Sequence, residues 1–399
     1  MRGPAEALVD LAAITGNVGA LRERAPGPQL MAVVKADGYG HGMIPAARAA
    51  LAGGADWLGV VHVSEALALR RHGVTARVLC LSGVPGAAHQ EAVRGGIDLT
   101  ADSVPLLTEI AAAAVQAGHP ARVHLKADTG MSRGGATAAD WPALVAAALA
   151  AQAAGQVTVA GIWSHLACAD IPGHPSIAGQ VAAFQEAVAV AEAAGARPEV
   201  RHLANTAATL NLPETWFDLV RPGGAIYGLA TLPGGAPAWL RPALTVRTRL
   251  VLAKQVPGGT PVSYGHRYAT QGPSTLGLIP LGYAEGIPRR ASGVVEVAAR
   301  GRRWRIAGTV CMDLSVLDFA AEPAEAGDEV VLFGPGDSGE PTAQEWADAL
   351  GTISYEVVTN FTGLLPRTYS EVAYEEGPAP AGASSASGGS SAPAGSAAG

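Results

Sequence analysis

Between residues 30 and 221 the chain alternates eight times between a short aliphatic, β-branched run and a longer, often alanine-rich stretch. The runs fall at residues 30–34, 57–61, 77–81, 97–100, 122–126, 157–164, 199–203 and 218–221. Helical stretches lie between them, for example 43–51, 64–72, 104–117, 141–153 and 177–193. Gly73, Gly118 and Gly195 stand where such helices should end. Strand-helix alternation predicts a parallel sheet, because parallel neighbours need a crossover between them. Eight units within roughly 220 residues predict an α/β chain closed as a (β/α)8, TIM-like barrel. An open doubly wound sheet is the alternative.

From about residue 241 the texture changes. Short runs at 244–251, 274–279, 293–298, 304–310 and 329–333 are separated by Gly/Pro turns, with one helix near 343–350. This predicts a mainly β domain. Residues 376–399 are almost entirely Ala, Gly, Ser and Pro, a composition that cannot bury a core and predicts a disordered tail. The expected division is therefore a barrel over 1–240, a β domain over 241–375 and a tail over 376–399. With 49% hydrophobic residues in 399, there is enough apolar material for two cores.

The net charge of −7, with no basic run, argues against a nucleic-acid partner. Three scattered cysteines (Cys80, Cys168 and Cys311) form neither a disulfide framework nor a CxxC metal pair, so no metal is expected. The first residues carry acids inside their apolar stretch, unlike a signal peptide, and no segment is apolar enough for a bilayer. A cytoplasmic location is the expectation.

Barrel enzymes place their chemistry at the C-terminal ends of the strands. There this chain offers Lys35, Lys126 with Arg133 beyond it, His165, Asn205-Thr206, and Arg221 followed by Gly223-Gly224. A lone Lys or Arg at a strand end usually only reaches for solvent. So many cations on one rim suggest an anionic ligand. The loops after strands seven and eight are where barrels often hold phosphate, and glycines there let backbone N–H groups come close. Lys35 follows the apolar run 31–34, and burial lowers a lysine's pKa toward the neutral amine that forms Schiff bases. Pyridoxal 5'-phosphate suits this set, and so does a Schiff-base aldolase.

The segment AVVKADGYGHG (32–42) closely resembles the cofactor-attachment motif of bacterial alanine racemases, which are pyridoxal-phosphate-dependent barrel enzymes. The likeness continues in order through LKADTGMSR (125–133), SHLACAD (164–170), RPGGAIYG (221–228), SYGHRY (263–268), LGYAEG (281–286), CMD (311–313) and SYE (354–356). The resemblance implies L-alanine/D-alanine interconversion by two-base proton transfer, supplying D-alanine for peptidoglycan. It implies Lys35 as cofactor attachment and one base, and Tyr264 as the other, contributed by the second subunit of a homodimer with shared active sites. It implies Arg221 at the pyridine nitrogen, with His165 and Asn205 also at the cofactor. Tyr39, Thr206, Gly223, Gly224 and Tyr355 match phosphate positions. Arg133 and Met312 match substrate-carboxylate contacts, and Tyr283 matches a ring of tyrosines that narrows the entrance. Asp313, in the CMD motif, is a supporting residue, and Lys126 matches a lysine often carbamylated. Asp37-Gly38, Ser132, Thr206 and Gly224 stand where the family commonly has Asn-Ala, Gly, Ser and a β-branched residue. The rival readings are a pyridoxal-phosphate decarboxylase, which as a family has an acid at the pyridine nitrogen, a broad-specificity racemase, and a non-catalytic carrier, which as a family lacks a β domain.

Overall fold

The computed structural model describes residues 5–361 and 363–370; the sequence-predicted tail at 376–399 lies outside the described residues. The first strand, β1 (Ala5–Val9), pairs antiparallel with a strand of the second domain and parallel with the last strand of the described chain. Residues 5–9, counted with the barrel from sequence, are thus part of the second sheet. The cause is the strict alternation of buried and half-buried residues in β1, which fits an antiparallel sheet with one covered face rather than a barrel strand covered on both.

The helix Leu11–Arg24, capped by Asp10 whose carboxylate accepts the Ala13 N–H at 3.0 Å, leads into the barrel. Eight strands follow: β2 (Gln29–Val33), β3 (Trp57–Val60), β4 (Arg77–Cys80), β5 (Asp98–Ala101), β6 (Ala121–Lys126), β7 (Val157–Trp163), β8 (Val200–His202) and β9 (Leu219–Val220). Neighbours from β2 to β8 pair parallel in chain order, and β9 returns to β2 through Gln29↔Leu219 and Leu30↔Val220. The Asp218 N–H donates to the Arg201 carbonyl and the Arg221 N–H to the Ala204 carbonyl, each at 3.0 Å. These two bonds join β9 to β8, so the sheet is a closed barrel and not the open alternative. Every residue of β3 and β5 is buried, because the inner face fills the barrel and the outer face meets helices. The helices Val104–Ala117, Trp141–Ala153 and Ser176–Ala193 cover that outer face, and the first ends on Gly118 in the left-handed conformation.

The second domain carries β10 (Leu244–Arg249), β11 (Leu252–Val256), β12 (Pro261–Val262), β13 (Tyr268–Ala269), β14 (Ser274–Ile279), β15 (Glu296–Ala299), β16 (Arg302–Ala307), β17 (Ser315–Asp318), β18 (Glu329–Phe333) and β19 (Arg367–Tyr369). All but the β12-β13 pair join one sheet in the order β11-β14-β17-β16-β15-β18-β10-β1-β19. The helix expected near 343–350 is present, with Thr342 and Glu345 forming a reciprocal capping box. A second helix, Ser354–Asn360, was not expected, since its Val-Val-Thr core reads as strand. One continuous apolar cluster runs through both domains, from Val9 and Leu58 to Leu332 and Phe361.

Candidate active site

A cavity of about 670 Å³ opens at the C-terminal ends of the barrel strands. Lys35, Tyr39, Lys126, Arg133, His165, Asn205, Thr206, Arg221, Gly223 and Tyr355 all line it. Lys35 stands just past β2, where the backbone makes an unusual turn. Ala36, Asp37, Gly38, Tyr39 and Gly40 all have positive φ, at 53°, 52°, 63°, 52° and 82°. A left-handed turn costs roughly 1–2 kcal/mol for each residue bearing a side chain. It must therefore be held from outside. The Ala36 N–H donates to the Glu65 carboxylate at 2.9 Å, and the Met43 N–H to Asp37 Oδ1 at 2.8 Å. Asp37 Oδ2 also pairs with Arg367 at 3.0 Å, and Arg367 donates to the Gly40 carbonyl at 2.8 Å. Asp37, where the family commonly has Asn, so ties the turn to the second domain. The turn sends the Tyr39 side chain back to Gly223, where a Cβ would meet its hydroxyl oxygen and force a shift.

Around that hydroxyl lies a small polar cradle. The Gly223 N–H donates to Thr206 Oγ1 at 2.9 Å, and the Tyr355 hydroxyl bonds Thr206 and Thr231. A Cβ on Gly224 would enter the Tyr355 ring, which explains glycine at a position where a β-branched residue is common. Gly224 itself stands behind the cavity wall. Asn205 uses its side-chain oxygen to cap the helix Thr206–Asn211, accepting from the Ala208 N–H at 3.1 Å. Burial first, and then the neighbouring tyrosine, raise the pKa of Tyr39, so it stays a neutral hydroxyl.

The opposite wall is cationic. Arg221 is buried, and its Nη2 donates to the Ser164 carbonyl at 2.8 Å and the Leu203 carbonyl at 3.1 Å. Its Nη1 reaches His202 Nδ1 at 3.0 Å. Burial lowers its pKa to about 9, which still leaves it charged at neutral pH. His165, 3.4 Å from Arg221, is held well below its usual range by burial and then by the charges of Arg221, Arg133, Lys35 and Lys126, so it is neutral. Lys35 is lowered by burial and then by Arg133. Lys126 Nζ sits 4.4 Å from the centre of the Trp163 ring and has no carboxylate ion-pair partner among the described residues. Burial, then Arg133, push its pKa down to about 8.

Tyr264, Tyr283, Met312 and Asp313 are not at this cavity within one chain. They lie on the second domain, with Tyr264 70% and Met312 55% exposed. The loops that carry them interlock. The Tyr283 N–H donates to the Cys311 carbonyl at 3.1 Å, and Thr309 Oγ1 to the Tyr264 carbonyl at 2.8 Å. Ser263, at φ 60°, precedes Tyr264 in a strained conformation. Sequence reasoning missed Trp163, Asp102, Asp170 and Thr231 in the cavity lining. It also missed Glu65, the anchor of the left-handed turn, whose only signal is its place at the third position of the helix Val63–Arg71.

Among the described residues no group of three or more His, Cys, Asp or Glu could hold a metal ion, and no helix is long and apolar enough to cross a membrane. Residues 9–231 match the model of the alanine racemase N-terminal domain, and residues 243–369 that of the alanine racemase C-terminal domain. The chain is 56% identical over 366 residues to an alanine racemase of Frankia casuarinae, covering 91% of this chain and 95% of the relative. It superposes on the solved alanine racemase of Streptomyces coelicolor with a TM-score of 0.90 at 55% identity, covering 92% of this chain and 98% of that one. It also superposes on the alanine racemase of a D-cycloserine-producing Streptomyces lavendulae with a TM-score of 0.92 at 51% identity, covering 93% and 98%. With both halves matched at this depth, the chain belongs to the alanine racemase family and is an isomerase of that family.

Proposed function

We propose that this chain interconverts L-alanine and D-alanine by two-base proton transfer, with pyridoxal 5'-phosphate held at the barrel cavity. The observation that carries the reading is the pairing, in one cavity, of a polar hydroxyl-and-glycine cradle with a buried arginine and a pKa-lowered lysine. The donor set fits the cofactor at both ends. Tyr39, Thr206, Tyr355 and the backbone at Gly223 and Gly224 would hold its phosphate, and Arg221 its ring nitrogen, with His165 and Asn205 alongside. Bound there, the cofactor would supply an electron-withdrawing ring conjugated to the substrate's α-carbon, making the α-proton removable.

Lys35 would attach the cofactor and then hold or return the α-proton on one face. Burial and the Arg133 charge lower its pKa, which favours the neutral amine that this role needs. Arg221 stays charged, so it disfavours a proton on the ring nitrogen and restrains side reactions that need a stronger electron sink. Arg133 and the backbone at Met312 would hold the substrate carboxylate. Tyr264 would serve the other face. Since Tyr264, Tyr283, Met312 and Asp313 are exposed away from the cavity of their own chain, we propose that a second copy brings them, in a homodimer with shared sites. The tyrosines would admit only a small side chain. We place the reaction in the cytoplasm, feeding D-alanine to peptidoglycan.

Incubation with L-alanine in D2O tests the reaction. Optical rotation should decay toward zero while deuterium enters the α-position. Release of carbon dioxide would instead indicate a decarboxylase.

Lys126 carries a separate expectation. With a pKa near 8, about a tenth of its amine is neutral at pH 7, far more than for an ordinary lysine. Only the neutral amine adds carbon dioxide. Carbamylation should therefore rise with pH through about 8 and with bicarbonate, and the new carboxylate would balance Arg133. Intact mass of the native protein, with and without bicarbonate, measures it. No mass gain at pH 9 in bicarbonate would remove the modification from the scheme.

A further inference from the structure

A line of four buried polar side chains, Asp98, His124, His202 and Arg221, runs through the barrel. Asp98, at the start of β5, accepts from His124 Nε2 at 3.1 Å. His124 Nδ1 lies 2.9 Å from His202 Nε2, and His202 Nδ1 lies 3.0 Å from Arg221 Nη1. Both imidazoles are completely buried.

The ends of this line fix its protons. A guanidinium can only donate, and a carboxylate can only accept. Asp98 also pairs with Arg122, whose Nε lies 3.1 Å from Oδ1, and with Arg77 at 3.4 Å. Arg122 and Arg77 are in turn tied to Glu199 at 2.8 and 3.0 Å. His124 must then donate from Nε2 and accept at Nδ1, and His202 must donate from Nε2 and accept at Nδ1. A proton added to either ring would set two donors face to face in a fully buried site. The rings cannot swing away, because Trp163 stacks on His202 at 5.6 Å and 6°, while Trp57 meets His124 edge-on at 5.6 Å.

We propose that Asp98 and His124 are positioning residues for Arg221, setting the direction of every proton in the Arg221–His202–His124–Asp98 line and thereby the plane of the guanidinium at the cavity. The inference rests on the reading of Arg221 as the cation facing the cofactor ring. The carbonyls of Ser164 and Leu203 hold one side of the guanidinium, and His202 Nδ1 holds the other. Without His124, the His202 Nε2–H loses its acceptor. The ring can then switch tautomer, turn an N–H against Arg221 and tilt the guanidinium. Asp98 stands at the start of β5 and does not line the cavity, so its contribution reaches Arg221 through the two rings.

The test uses the cofactor-loaded protein labelled with 15N-histidine. Long-range 1H–15N spectra at pH 7 should show His124 and His202 both neutral and protonated at Nε2. His124→Leu should lower kcat for racemisation about tenfold or more, leave KM for alanine within about twofold, and shift the visible band of the bound cofactor, as loss of an orienting outer partner does elsewhere. His124→Gln keeps one donor and one acceptor in place and should stay within about threefold of the parent in kcat, with the parent's band. An Nδ1-protonated or doubly protonated His202 overturns the proposal. So does a His124→Gln protein that falls as far as His124→Leu, which would mark His124 as packing alone. The tautomer spectra are read whether or not the protein racemises alanine, so failure of the line and failure of the functional reading are told apart.

Discussion

A Lys35→Ala protein is expected to be colourless and to have lost racemisation by more than about four orders of magnitude, since one change removes both a covalent attachment and a proton-transferring group. The cavity holds two lysines, Lys35 and Lys126, and both have lowered pKa values. Their surroundings separate them. Lys35 follows β2 and starts the left-handed turn that carries Tyr39 to the cradle, so a group attached there reaches back to Thr206, Gly223 and Tyr355 along one short segment of chain. Lys126 lies against Trp163, beside Arg133, and is placed to modify how that arginine is held. Lys126→Ala should therefore keep the visible absorption band and lose only part of the rate. If the band survived in Lys35→Ala and vanished in Lys126→Ala, the assignment would be reversed.

The barrel was legible because its signal repeats: eight apolar runs with helices between them leave few alternatives, and the closing bonds from β9 to β8 decide the remaining one. β1 was misplaced because strand identity is local while sheet membership is not. Nothing within residues 5–9 says that the partner strand lies at residues 244–249. The helix Ser354–Asn360 was hidden by β-branched residues, whose weak preference loses to burial of Val357 and Val358. At the site, residues at strand ends were readable, since barrel geometry gathers them whatever their sequence distance. The left-handed turn at 36–40 was not, because three of its five residues bear side chains that disfavour positive φ, and side chains as distant in sequence as Glu65 and Arg367 help to hold it. The Asp98 line was half visible. His124 stands two residues before Lys126 on the same strand, so period-two alternation puts both on one face, and a histidine inside a barrel calls for a partner. The partner, His202, lies 78 residues away and only the fold supplies it.

Tyr264→Phe should slow removal of the α-proton from L-alanine by about 10²- to 10⁴-fold while disturbing removal from D-alanine far less, as expected when one of two general bases is deleted. Deuterium uptake from each enantiomer, measured separately, gives the two rates. Small, equal losses would contradict the two-base scheme. The placement of Tyr264 makes a sharper test possible. In one chain it is 70% exposed and does not line the barrel cavity, whereas Lys35 does. If each site takes Lys35 from one chain and Tyr264 from another, the two inactive proteins complement. Mixing Lys35→Ala with Tyr264→Phe after dissociation gives mixed pairs in which one site has lost both groups and the other has both intact. Random reassociation makes about half the pairs mixed, each with one good site of two, so about a quarter of the parent activity should return. A site built within a single chain would return none, because every chain in the mixture lacks one of its two bases. Recovery near a quarter, with the visible band unchanged by mixing and in proportion to the chains carrying Lys35, would locate the second base on the neighbouring chain. No recovery from pairs that demonstrably exchange would place the Lys35 and Tyr264 of each site on one and the same chain.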